Sequence, residues 1–316
     1  MKYLVLALCL FASVPNALAA TVDDGIAAFD KKDYQSAYSI LLPLAEQSIV
    51  KAQTKIGVMY LNGNGVNKDY KEAVRWFFLA AHQGDEHAQT SIGSAYFKGQ
   101  GIEKNYGEAM KWFLIAASKN YALAQFDIGM LYLDGVGIEK NYDEAMKWFR
   151  LAAQQHEARA EHSLGIMYDE GIGIDQDHQE AMKWFVLAAQ HGDSKFQFEL
   201  GNLMYSQKRY EEALKWFSLA ANKGYAPAQS SMGVLYFDGK GVDQNYVEAL
   251  KWFHLAAEQG NATAQTNLGI AYNLGRGIGQ DYTEALKWFR LAADQGHEMA
   301  KNKVRTMLES GLGYAK

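Results

Sequence analysis

Apolar and polar positions along this chain recur with a fixed period. The segment AQTSIGSAYFKGQGIEKNYGEAMKWFLIAA, Ala88 to Ala117, holds one full unit. Its first half places Ala88, Ile92 and Tyr96 at i, i+4 and i+8, which share one face of a helix. A polar loop with Gly99 and Gly101 follows, and glycine admits backbone angles that other residues resist. The second half opens on Asn105 with Glu108 three residues later, a capping-box-like start. It continues through Ala109, Trp112-Phe113 and Ala116-Ala117. The predicted unit is therefore helix A, glycine loop, helix B.

Tryptophan marks the period. All seven Trp residues stand in Trp-Phe pairs, at 76, 112, 148, 184, 216, 252 and 288, and the one short interval is that from 184 to 216. There the loop before Tyr210 lacks four residues, and Ser206-Gln207-Lys208-Arg209 replaces the Gly-x-Gly segment. The first unit is similar, with Phe29-Asp30-Lys31-Lys32-Asp33 as a short turn. Eight helix pairs result, followed by an A-like helix over roughly 298–310 that reads as a polar cap. Gly57, Gly93, Gly129, Gly165, Gly201, Gly233 and Gly269 fall in the middle of the A helices. Glycine costs about 1 kcal/mol there relative to alanine, so these positions predict a helix approach too close for a side chain. A single unit cannot bury enough surface to fold alone, and neighbours must share the core. The expected fold is all-α: a right-handed α-solenoid of about eight helix-turn-helix repeats plus a C-terminal capping helix, forming one domain over 20–316.

The first nineteen residues break the pattern. Lys2, an apolar run from Tyr3 to Val14 and the Ala17-Leu18-Ala19 end describe a secretory signal, cleaved after Ala19 or Ala20. The run is shorter than the roughly 20 residues of a membrane span, so no integral membrane segment is expected in the mature chain, and the destination is the periplasm or the secreted space. The only cysteine, Cys9, lies inside this signal. The net charge of −5 argues against a nucleic-acid footprint, which is a basic stripe.

On these motifs the unit resembles the Sel-one-like repeat, a branch of the tetratricopeptide superfamily, with A-Q-x-x-L-G-x-x-Y-x-x-G-x-G-V followed by A-x-x-W-F-x-x-A-A-x-x-G. The segment Leu42 to Gln53 is similar to the first unit of many exported bacterial members. The resemblance implies an adaptor or scaffold that holds partner proteins, without catalysis and without a cofactor.

Catalytic and metal motifs are sparse. The eight histidines show no ligand spacing; His156 and His162 are six apart with Glu157 and Glu161 between them, which is not a zincin arrangement. Ser48-Ile49-Val50-Lys51 matches the S-x-x-K of penicillin-recognising enzymes, without an accompanying Lys-Thr-Gly. A β-lactam-binding hydrolase of the kind proposed for cysteine-rich relatives, and a cell-wall glycan binder, are the alternatives to a protein scaffold. For the scaffold, helix A positions three, seven and ten of the motif lie opposite the core face and vary from unit to unit. They supply the groove candidates Phe97, Phe126, Met130, Leu133, His162, Ile166, Phe198, Tyr205 and Phe237, with Phe126, His162 and Phe198 as a ladder at one position in three successive units. Large side chains on such a face anchor peptides or partner helices.

Overall fold

The computed structural model describes residues 20–313; the expected signal at 1–19 lies outside the described residues. Among the described residues there are seventeen α-helices and no strand. In chain order they are α1 (Val22–Asp30), α2 (Tyr34–Glu46), α3 (Val50–Asn62), α4 (Tyr70–His82), α5 (Glu86–Lys98), α6 (Tyr106–Ala117), α7 (Ala122–Asp134), α8 (Tyr142–Ala153) and α9 (Ala158–Glu170). They continue with α10 (His178–His191), α11 (Ser194–Ser206), α12 (Tyr210–Asn222), α13 (Ala226–Asp238), α14 (Tyr246–Glu258), α15 (Ala262–Leu274), α16 (Tyr282–Asp294) and α17 (Glu298–Glu309). Eight A–B pairs followed by a single terminal helix match the periodicity. Two compact units divide the chain, the first reaching to Ala124 and including Val136–Glu139, the second taking Gln125–Gly135 and the described residues from Lys140 on.

The mid-helix glycines face phenylalanine rings. A Cβ on Gly57, Gly93, Gly129, Gly201 or Gly269 would lie 2.6 Å from the ring of Phe77, Phe113, Phe149, Phe217 or Phe289, the Trp-Phe phenylalanine of the same pair. These five rings are buried, as is Phe253 beneath Gly233. The helix propensity given up at each glycine admits an aromatic ring into the pair.

Tryptophan acts between pairs. One buried cluster joins Ala73, Phe77, Ala80 and Ala81 of α4 to Ala88 and Ile92 of α5, and Trp112 of α6 packs against it. Another joins α14 to α15 through Phe253, Ala256, Ala257, Ala264 and Leu268, closed by Trp288 of α16. These two cores belong to helix B of one pair and helix A of the next. Only Trp76 is buried outright; the other six tryptophans are half-buried. The loops couple pairs as well. Gly101, at φ +74°, lies so close to the Tyr70 backbone at the start of the preceding helix B that a Cβ would collide with it.

Helix B is capped by half of a capping box. Asn105, Asn141 and Asn245 each accept a hydrogen bond from the backbone N–H of the glutamate three residues on, at 3.0 Å. The reciprocal bond is replaced. The backbone N–H of Asn245 donates to the Tyr236 carbonyl of helix A, and Asn105 and Asp281 do likewise to Tyr96 and Tyr272. Each glutamate instead pairs with a basic residue three further on, as Glu248 does with Lys251 at 2.7 Å. Asn245→Ala is therefore expected to cost about 1 kcal/mol, and Glu248→Gln under about 0.5 kcal/mol, the range of an exposed helix ion pair. Paired urea melts check the ordering; equal losses would restore the full box.

Candidate partner-binding site

The nine groove candidates are all half-buried, and most already have aromatic company within their own repeats. Phe126 packs against Phe149 with centroids 5.7 Å apart, under the Arg159 guanidinium at 4.5 Å. Phe198 packs against Phe217 and Tyr225 at 5.7 and 5.5 Å. Phe97, Tyr205 and Phe237 each meet the first tyrosine of the following helix B in tilted or edge-on contact, with centroids at 5.5, 5.2 and 5.0 Å, and Lys240 Nζ donates to the Tyr205 hydroxyl at 2.8 Å. Met130 and Leu133 flank the α8–α9 core, and Ile166 lies half-buried on α9. Elsewhere the ladder position is occupied by the buried Thr90, Ser230 and Thr266.

His162 differs from the rest. It lines a cleft of about 210 Å³ with Asp169, Phe185, Ala188, Phe196, Glu199, Leu200 and Leu203, drawn from α9, α10 and α11. The cleft forms where one residue of the sequence and two features of the structure leave the repeat. Phe196 takes the first motif position, which six other units fill with a fully buried alanine, for example Ala160 and Ala228. A phenyl ring cannot occupy the space of a methyl group, and Phe196 stays half-buried. The α10–α11 connection also changes. Gly192 is extended (φ −90°, ψ −174°), where Gly84, Gly224, Gly260 and Gly296 are left-handed. Phe185, alone among the seven Trp-Phe phenylalanines, is only half-buried.

The cleft has apolar walls and a polar rim. Phe185 and Phe196 lie 5.5 and 5.3 Å from the His162 ring. His162 Nε2 lies 3.3 Å from Glu199 Oε2, and Lys195 Nζ lies 3.8 Å from Glu199 Oε1. At the rim Asp169 accepts from, or pairs with, His178 Nδ1 at 2.7 Å. Burial holds the His162 imidazole below its ordinary value, with Glu199 partly opposing this. The volume is below the 300 Å³ or so of small-molecule pockets and suits one inserted side chain.

A second irregularity shares α9 and α10. In five units the buried glutamine of the Ala-Gln motif donates to a helix B carbonyl eight residues back, as Gln265 does to Ala257 at 3.2 Å. Its own oxygen is met by a second glutamine thirty residues on in the pairs Gln83–Gln53, Gln155–Gln125, Gln259–Gln229 and Gln295–Gln265, at 2.7–2.8 Å. At the equivalent place the chain carries Glu161 and His191, with His191 Nδ1 2.7 Å from Glu161 Oε1. Burial raises the Glu161 carboxyl above its ordinary value, and the His191 contact opposes that rise. A separation of thirty residues hides this pairing from any local spacing rule.

The Ser48–Lys51 motif falls at the α2–α3 turn, where both residues are exposed and Ser48 has φ +66°. Exposed large apolar residues lie largely on helix B, at Leu79, Ile115, Leu219, Leu255 and Leu291; single surface leucines are ordinary in folded proteins.

Comparison with known proteins places this geometry. The Sel1 repeat profile matches seven times, over residues 50–85, 86–121, 122–156, 158–193, 194–225, 226–261 and 262–297. The chain belongs to the Sel1 repeat family. It is similar to a protective antigen present in uropathogenic Escherichia coli strains that displays an SLR fold, at 30% identity and a TM-score of 0.66. That likeness covers 91% of this chain but 63% of the antigen, so the chain spans less than two thirds of its length. It is also similar to a Sel1 repeat protein from Oxalobacter formigenes, at 30% identity and a TM-score of 0.53, covering 87% of this chain and all of that one. Yeast Tom70 shares the fold alone, at 13% identity and a TM-score of 0.54. No curated protein sequence matches. Repeats of the Sel1 and tetratricopeptide kind are in general protein-interaction scaffolds and are typically non-catalytic. No helix among the described residues is long and apolar enough to cross a membrane.

Proposed function

We propose that this Sel1 repeat chain is an exported, non-catalytic scaffold that holds a segment of a partner protein at the α9–α11 cleft. The observation that carries the reading is Phe185, only half-buried at the wall of a cleft that it shares with Phe196, beside the altered Gly192 turn. An apolar wall of Phe185, Phe196 and Leu203 under the acids Asp169 and Glu199 suits a side chain with an apolar stem and a hydrogen-bond-donating tip, such as arginine or lysine. Aromatic-lined pockets of this kind carry a large share of interface energy.

The test replaces Leu203, half-buried at the cleft wall, with lysine. Leu203→Lys is expected to keep the helical circular-dichroism spectrum and to weaken capture of the partner from the native host by at least tenfold, which is about 1.4 kcal/mol. Unchanged capture by a folded variant contradicts the cleft assignment. Export is supported by the signal-like leader and by the position of the first helix. Thr21 caps α1 in a full capping box with Asp24, directly after the proposed cleavage region. N-terminal sequencing of protein from the native host should begin at Ala20 or Thr21, and an intact Met1 would contradict export.

A further inference from the structure

We propose that His156, Glu161 and His191 form a binding site for a divalent transition-metal ion of the zinc type. One potential ligand atom from each of the three lies within 4.8 Å of the other two. The His156 and His191 rings stand 4.1 Å apart, and His191 Nδ1 is 2.7 Å from Glu161 Oε1. Two imidazoles and a carboxylate are a zinc donor set, leaving a fourth position to water. In a tetrahedral site with bonds near 2.1 Å, ligand atoms are about 3.4 Å apart. Both histidines are exposed, so small side-chain rotations close the remaining gap.

The repeat provides an internal control, because three independent departures from it converge on this spot. Six of the seven units carry glutamine where Glu161 stands, at Gln53, Gln89, Gln125, Gln197, Gln229 and Gln265. Four units carry glutamine where His191 stands, and the other two carry Lys119 and Lys223. The position of His156 is glycine in five of the other pairs, Asn120 in one and Ser48 in the first. His156 adopts φ +62° there, a left-handed conformation that residues with a Cβ adopt at a cost. A Glu–His hydrogen bond in place of a Gln–Gln bond would explain two of these departures and leave His156 without a reason.

Glu161 supplies the second argument. Its residue exposure is 1%, and Oε2 is buried without a hydrogen-bond donor among the described residues. An amide at this place satisfies the same backbone at no charge, whereas a desolvated carboxylate is costly unless paired with a cation. A metal ion held between the Glu161 carboxylate and the two imidazoles supplies that cation and gives His156 a role.

Zinc titrated into the purified full chain by calorimetry is expected to show one site per chain with a dissociation constant in the micromolar range or tighter. Cobalt should give visible absorption of tetrahedral character. The double variant Glu161→Gln/His191→Gln restores the repeat's own pair and is expected to fold while losing at least tenfold in affinity; even outer-shell partners of a metal ligand are worth 10–100-fold. His156→Asn, which installs the residue already tolerated at position 120, is expected to lose at least tenfold as well. It keeps the test decisive if the double variant fails to fold. Absence of zinc binding in the wild-type chain overturns the proposal, as does unchanged affinity and stoichiometry in folded variants, which would assign the metal to other surface histidines.

Discussion

Phe253→Ala is expected to destabilise the second unit by about 3–5 kcal/mol. The ring is 1% exposed and fills the space over Gly233, and its loss leaves a cavity that two neighbouring helices cannot close without breaking their contacts with the next pair. The complementary Gly233→Ala drives a Cβ into the same ring and is expected to cost about 1–3 kcal/mol by overpacking, despite the better helix propensity of alanine. The double substitution should recover part of the loss, because each change relieves the other, and this coupling separates a packed glycine from a merely helix-breaking one. Amide exchange gives the spatial readout. Because the cluster holds α14, α15 and Trp288 of α16 together, protection should fall most in α13–α16 and least in α1–α4. Uniform loss would contradict the nearest-neighbour coupling of repeat arrays.

His191→Ala is expected to cost about 1–3 kcal/mol at neutral pH, the range for a buried acceptor deprived of its partner. The substitution strips Glu161 Oε1 of its contact at 2.7 Å while the carboxylate stays buried. Adding Glu161→Gln should recover most of that loss, because the glutamine amide can donate to the helix B carbonyl as Gln229 does to Ala221 at 3.3 Å. Urea unfolding in the presence of a chelator measures both steps free of any metal contribution. A His191→Ala chain as stable as the wild type would show that water already satisfies Glu161 and that the pair carries no structural weight.

Much of this was legible in the sequence, for a physical reason. The repeat period records packing: glycine every unit at the Phe contact, alanine at helix crossings, Trp at the junction of pairs. What the pattern could not resolve was the division of labour between Trp and Phe. Adjacent residues on one helix point in different directions, and only the packed helices show that the phenylalanine fills its own pair while the tryptophan covers the preceding core. The capping boxes were half legible. A short polar residue followed by glutamate three later predicts the N-cap bond, but the competing tyrosine carbonyl comes from another helix.

The candidate site was less legible. Variation on helix A picked out His162, which does line the cleft, but also Phe126 and Phe198, whose rings pack on Phe149 and Phe217 inside their own repeats. Variability marks positions free of the shared core without saying what fills them. The stronger signal was departure from the repeat at positions that are otherwise constant, Phe196 for alanine and Glu161 for glutamine, with His156 at a place that is glycine in most units. Such substitutions must be accommodated by local change, and α9–α11 is where the structure shows that change.

The cleft assignment is tested most directly by placing a photo-crosslinking amino acid at position 203, on the cleft wall, and at the exposed position 291 on α16 as a control. Irradiated in the native host, the protein should yield one dominant adduct from position 203 that is absent from position 291 and is abolished when the cleft is blocked by Phe185→Trp. Adducts of the same identity and intensity from both positions, or a position 203 adduct that survives Phe185→Trp, would contradict partner binding at the cleft.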